Sequence, residues 1–176
     1  LLSLLLMMAA VNIQMVARSQ LTYEITGSAI YVGLVGAGFA PPILLLGLFG
    51  GSISDQFNKK VILQLTQILM AVLASIIAIS IYFDTLTVFH LLIASFCQGL
   101  LWAFLVPARQ SLVADLVKKE LIVNAVALNG SAMALMTFLA PGIGGYIYAK
   151  YGPLYVYLII TIFFAISCVI NQTLPS

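Results

Sequence analysis

The chain has 176 residues, of which 63% are apolar and only 7% are Asp, Glu, Lys or Arg. A soluble domain carries about 25% charged residues, so this balance excludes water as the outer solvent and points to a lipid bilayer. Seven basic residues and a net charge of +2 exclude a nucleic-acid surface, and one histidine with two separated cysteines leaves no donor set for a metal and calls for no cofactor.

Charge-free stretches cover residues 1–17, 25–54, 61–83, 85–108, 121–149 and 151–176. A spanning helix takes about 20 mostly apolar residues, and all but the first stretch exceed that. Residues 61–81 are continuously apolar, without the alternation of a barrel strand, and in lipid a helix satisfies every amide within its own segment. The expectation is an all-α membrane protein with six transmembrane helices, over residues 1–22, 28–54, 60–83, 86–113, 122–149 and 153–172. No methionine opens the chain, so the first helix is expected to begin before Leu1, and the lack of a basic n-region argues against a cleaved signal peptide.

The first helix carries Asn12 and Ser19 on one face and Gln14 and Arg18 on the roughly opposite one. One of these faces is expected to meet a cavity, and the sequence leaves open which. The second helix contains Ala40-Pro41-Pro42 followed by Gly47, Gly50 and Gly51. The next connection brings Asp55, Asn58, Lys59 and Lys60. Gly47 and Gly51 form a G-x-x-x-G face for close helix approach. Asp55 suits the positive end of a neighbouring helix, and Asn58 tolerates a left-handed turn.

Helix four places Ser95, Gln98, Trp102 and Arg109 within roughly 60° of one another at 100° per residue. Polar groups in a membrane helix face the bundle interior or a wet cavity. These four, with Asn12 and Gln14, are the expected substrate path. Trp102 lies mid-span, away from an interfacial belt, and suits stacking on a planar substrate. Helix five contains Ala140-Pro141, then Gly142, Gly144 and Gly145. It holds the same place in the second triplet of helices as helix two does in the first, yet runs the opposite way. Matched Gly/Pro-interrupted helices in a 3+3 inverted repeat point to a secondary transporter. Proline removes a helix hydrogen bond and bends the chain, so Pro41, Pro141, Gly144 and Gly145 are the expected hinges.

Lys59, Lys60, Lys118, Lys119 and Arg109 cluster at the even connections; Arg18 and Lys150 fall at the odd ones. The positive-inside rule then places both chain ends in the cytoplasm. All eight tyrosines flank the odd connections, here placed outside. His90 reads as a structural residue at the outer end of helix four, and Cys97 and Cys168 as small apolar filler inside spans. No carboxylate lies mid-membrane. A carrier of cations commonly wants one there, so either the coupling acids lie outside this chain or the substrate is neutral or anionic.

The segment from Gly51 to Lys60 resembles the signature loop of the major facilitator superfamily, G-x-x-x-D-[RK]-x-G-[RK]-[RK]. Gly51, Asp55, Lys59 and Lys60 match; Gln56 and Asn58 depart from it. Pro107-Ala108-Arg109-Gln110-Ser111 through Asp115, Asn124 through Asn129, and Tyr23 through Ser28 resemble the branch that holds siderophore and macrolide exporters. Ala140-Pro141-Gly142-Ile143-Gly144-Gly145 is similar to the superfamily's antiporter motif, with Ala140 for its first glycine. The resemblance implies twelve helices in two halves, so that this chain is an N-terminal half and a C-terminal six-helix half is its missing partner. It implies a conformational latch of Gly51, Asp55, Lys59, Lys60 and Asp115, in which Asp55 contacts the other half and Lys59 pairs with Asp115. Ser95 stands where the antiporter version of helix four has arginine, which counts against a proton relay in this half. The expected function is efflux of amphipathic small molecules by alternating access with proton antiport, in a bacterial inner membrane. Uptake by symport and a non-transporting membrane fragment are the alternatives. An intramembrane serine protease is disfavoured because the single histidine is interfacial and no G-x-S-x-G elbow is present.

Overall fold

The computed structural model describes residues 2–47, 58–116 and 119–172, with the side chains of 113–116 and 119 set aside. Gly51 and Asp55 lie outside the described residues, as does the side chain of Asp115. The helices are α1 (Leu2–Thr26), α2 (Ala29–Gly47), α3 (Lys59–Tyr82), α4 (Val88–Leu116), α5 (Ile122–Tyr151) and α6 (Pro153–Gln172). A 3-10 turn, Lys119–Leu121, leads into α5. All six are long and apolar enough to cross a bilayer, and the described residues contain no strand. The protein is an integral membrane helix bundle.

The odd connections are tight, and each turns through one left-handed residue: Gly27 (φ 62), Asp84 (φ 52) and Gly152 (φ 86). Glycine pays no Cβ penalty there, and Asp is among the few L-residues whose short polar side chain tolerates it. At the even end Asn58 caps α3, its Oδ1 accepting from the Lys60 amide at 3.0 Å. Lys60 Nζ then donates to the Gln172 carbonyl at the end of α6, at 2.9 Å. That carbonyl lies in the last turn of α6, where no intrahelical donor follows and a cation is favoured.

α1 is the central helix and touches α2, α4, α5 and α6; α3 packs on α6 and α4. Exchanging the two triplets maps these contacts onto one another. α1 against α5 answers to α4 against α2, α1 against α6 answers to α4 against α3, and the α3–α6 contact maps onto itself. That pattern is the 3+3 inverted repeat expected from the proline and glycine spacing. The repeat is approximate, for α1 is somewhat more buried than its counterpart α4, and α2 and α5 are the most exposed of the six spans.

The interior seam runs where α1, α3 and α6 meet, around Met7, Met70, Ile77, Ile160 and Phe164. A polar chain closes its even end. Ser3 and Ser167 hydroxyls lie 2.9 Å apart, Gln67 Nε2 donates to Ser167 Oγ at 2.9 Å, and Asn171 Nδ2 donates to Gln67 Oε1 at 2.8 Å. Lipid offers no alternative partner to these buried groups, so the chain fixes the register of three helices.

α5 turns only Ala132, Ala140, Gly144 and Tyr148 fully inward, on a four-residue spacing. This is a ridge of mostly small residues that lets α1 approach closely. A Cβ on Gly144 would stand 2.9 Å from Ile13 Cγ2 and 3.2 Å from Ile13 Cα. Gly144, expected as a hinge, therefore sits at a tight helix crossing; nothing lies against Gly145. The matched proline helices α2 and α5 also differ. α2 is interrupted at Gly38–Phe39, about one turn before Pro41 and Pro42, where the rings exclude the carbonyls of Ala37 and Gly38 from the ladder. α5 continues through Pro141 without a break.

Candidate functional site: a polar cleft between α1, α2 and α4

The interruption in α2 is held against α4. Ser95 Oγ donates to the Val35 carbonyl at 2.7 Å, and Gly99 lies so close that a Cβ would run into the Phe39 backbone. Beside this point a cleft of about 270 Å³ lies between α1, α2 and α4. Its walls include Met15, Arg18 and Ser19 from α1, Phe39 from α2, and Gln98 and Trp102 from α4.

One side of the cleft is a three-residue polar network. Arg18 Nη1 donates to Gln98 Oε1 at 2.8 Å, and Gln98 Nε2 donates to Gln14 Oε1 at 3.0 Å. Arg18 is only 7% exposed, Gln14 5% and Gln98 6%. The amide of Gln98 is thus oriented from both ends, its oxygen toward the cation and its nitrogen toward Gln14. Tyr157 of α6 is fully buried within electrostatic reach of Arg18, and its hydroxyl has no hydrogen-bond partner among the described residues. The indole Nε1 of Trp102 is likewise buried without one.

The expected path residues separate accordingly. Gln98 and Trp102 line the cleft, and Gln14 stands directly behind Gln98. Ser95 is a fully buried strut to α2 and does not line it. Asn12 returns its amide to the Met8 carbonyl of its own helix at 2.8 Å. Arg109, half-buried, lies two turns further toward the even end, its Nη1 3.3 Å from Met7 Sδ. Of the two faces of α1, the one with Gln14 and Arg18 is turned into the bundle; Ser19 reaches the cleft from its edge.

Arg18 requires a correction. It was counted among the residues of an odd connection, but α1 continues to Thr26 and carries it two turns inside the helix. It stands about 12 Å from the odd end of α1 at 1.5 Å per residue. A guanidinium at the centre of a span costs about 2.5–3.5 kcal/mol on insertion scales. Two of the eight tyrosines also leave the belt. Tyr157 faces the interior, and Tyr148 donates to Glu24 Oε2 at 2.7 Å, tying α5 to α1 at the odd end. Gln20 Nε2 holds the other oxygen of Glu24 at 3.0 Å. The tyrosines whose phenol edges remain exposed, such as Tyr31, Tyr82 and Tyr155, flank the odd connections as expected. His90 closes the first turn of α4, with Nδ1 2.8 Å from Thr87 Oγ1 and accepting from the Thr87 amide at 3.2 Å. This is the returning half of a capping box, with imidazole in the usual place of Glu, while the His90 amide donates to the Thr87 carbonyl at 3.1 Å.

A six-helix inverted repeat with a buried polar cleft beside an interrupted helix is the architecture of half a secondary transporter of the major facilitator type. The chain belongs to that superfamily, in the family described as transmembrane secretion effector, whose profile matches residues 4–175. It is also 29% identical over 125 residues to the staphyloferrin A transporter of Staphylococcus aureus, a match covering 70% of this chain and 32% of that protein. The chain thus aligns with about a third of the length of the curated relative.

Proposed function

We propose that the chain is the N-terminal half of an efflux permease that exports amphipathic small molecules by alternating access, with the cleft between α1, α2 and α4 as this half's share of the substrate path. The observation that carries the reading is the cleft itself: a buried cation, an oriented amide and a mid-span indole on helices that a second bundle would face. The exposed sides of α2 and α5 support the second bundle. Ser131 of α5 is exposed near mid-span depth, where lipid offers it no partner. The relative is named as a transporter of staphyloferrin A, which supports a transport role. The tyrosine ring around the odd connections and the lysines of the even ones support cytoplasmic chain ends in a bacterial inner membrane.

Coupling to protons belongs in this reading to the C-terminal half, because this half offers no mid-membrane acid. The latch assignment of Gly51, Asp55, Lys59, Lys60 and Asp115, and the hinge roles of Pro41, Pro141, Gly144 and Gly145, complete the proposal. The test is export from an efflux-deficient bacterium expressing the twelve-helix protein, measured as retained substrate with and without Trp102→Ala. Lower retention with the wild-type protein, reversed by the substitution, is expected. Equal retention in all strains, or uptake in place of export, refutes it.

A further inference from the structure

We propose that the cleft binds an amphipathic monoanion, a carboxylate on a planar apolar body, which supplies Arg18 with the counter-ion that none of the described residues gives it. The proposal rests on the reading of the cleft as the substrate path and names the class of molecule that the path takes.

Arginine presents five N–H donors. The described residues satisfy Arg18 with one neutral acceptor, Gln98 Oε1, and place no carboxylate on it. A buried, unpaired guanidinium is costly, and the cost falls when a planar carboxylate takes two parallel N–H bonds. Gln98 cannot turn to serve as a second acceptor, because its nitrogen is committed to Gln14 at 3.0 Å. The remaining donors of Arg18 therefore await an occupant.

The rest of the cleft limits that occupant. The rest of its lining is largely apolar, Val11, Met15 and Phe39 included. One positive charge faces it among the described lining residues, so a second negative charge on the ligand would be buried unpaired. A volume of about 270 Å³ lies just below the range of ligand pockets, roughly 300–1,000 Å³, and suits a carboxylate with one ring. Trp102 gives that ring a face to stack on.

Trp102 is the chain's one tryptophan, so its fluorescence reports on the cleft alone. The twelve-helix protein, with every tryptophan outside this chain replaced by phenylalanine, is titrated in phosphatidylcholine nanodiscs with 4-nitrobenzoate, the neutral 4-nitrobenzamide and the cationic 4-nitrobenzylammonium. Saturable quenching is expected from the acid at a Kd at least about tenfold below that of the amide, the worth of one charge-assisted pair at about 1.4 kcal/mol. The ammonium should bind more weakly than either. Arg18→Gln should remove the difference between acid and amide. Gln98→Glu, which places an internal carboxylate on Arg18 and keeps the helices joined, should remove it too. Far-UV circular dichroism verifies both folds. Equal affinity for acid and amide, or an acid preference that survives both variants, overturns the anion assignment while leaving the cleft as a path for aromatic molecules. No quenching by any of the three overturns both readings. Displacement of the acid by phosphatidylglycerol at equal lipid content assigns the counter-ion to a lipid phosphate and also overturns the proposal.

Discussion

Gln98 joins two helices through one amide, and Gln98→Leu removes both hydrogen bonds with little change in volume. The bond from Arg18 involves a charged donor and is worth about 1.5–3 kcal/mol in water-soluble proteins; the bond to Gln14 is worth about 0.5–1.5. Within membranes, measured side-chain bonds average only about 0.6 kcal/mol with a maximum near 1.7, since the separated helices find other partners. The charge places Arg18 toward the upper end, so a loss of about 2 kcal/mol is expected for Gln98→Leu. The assay is equilibrium unfolding in mixed micelles with increasing sodium dodecyl sulfate, followed by circular dichroism. A double-mutant cycle with Arg18→Leu isolates the pair. The double variant should recover at least about 1 kcal/mol relative to the summed single losses, because the uncompensated charge is gone. Additivity within about 0.3–0.5 kcal/mol would show that the two side chains do not interact and would refute the network.

Gly144→Val drives a side chain into Ile13, and overpacking of this kind costs about 1–3 kcal/mol. The midpoint should fall in the same unfolding assay and recover in part when Ile13→Ala is added; no change would mean that α1 and α5 do not cross there. Ser95→Ala removes the strut to the Val35 carbonyl, so amide exchange across residues 35–40 should speed up by roughly 3- to 20-fold for a loss of about 0.6–1.7 kcal/mol, and unchanged exchange refutes the strut. Asp55→Asn in the twelve-helix protein should lower export without lowering membrane insertion, and undiminished export removes the latch assignment. Cysteines placed at Lys59 and Lys118 should react with impermeant reagent only from the cytoplasmic face; labelling only from outside inverts the orientation.

The six helices were legible in the sequence because lipid imposes a condition that length and apolarity alone can meet. Spans and observed helices agree to within a few residues where they are described, with the largest difference at the end of α1. There the sequence placed a boundary near residue 22, and the helix runs on to Gly27, where a left-handed glycine ends it. That difference of one turn moved Arg18 from the edge of the bilayer into the bundle. The inverted repeat was legible too, from Pro41 and Pro141 at matching places, although the prolines do different work: α2 is interrupted near its pair, and α5 absorbs its one without a break. The stripe on α4 has mixed surroundings in the structure. Periodicity puts Ser95, Gln98, Trp102 and Arg109 on one side of a helix, yet it carries no information on which neighbour each will meet.

The sequence by itself determined the solvent, the number of spans, the pairing of the triplets and the polar side of α4. Each follows from composition or from a local period along one helix. Only the tertiary structure decided that Ser95 braces α2, that Gly144 admits Ile13, that Gln67, Ser167 and Asn171 close a seam with Ser3, and that Arg18 meets Gln98. These pairs are separated by roughly 60 to 165 positions in the chain, so no local pattern records them. They exist because every buried polar group in lipid must find a partner on whichever helix stands beside it.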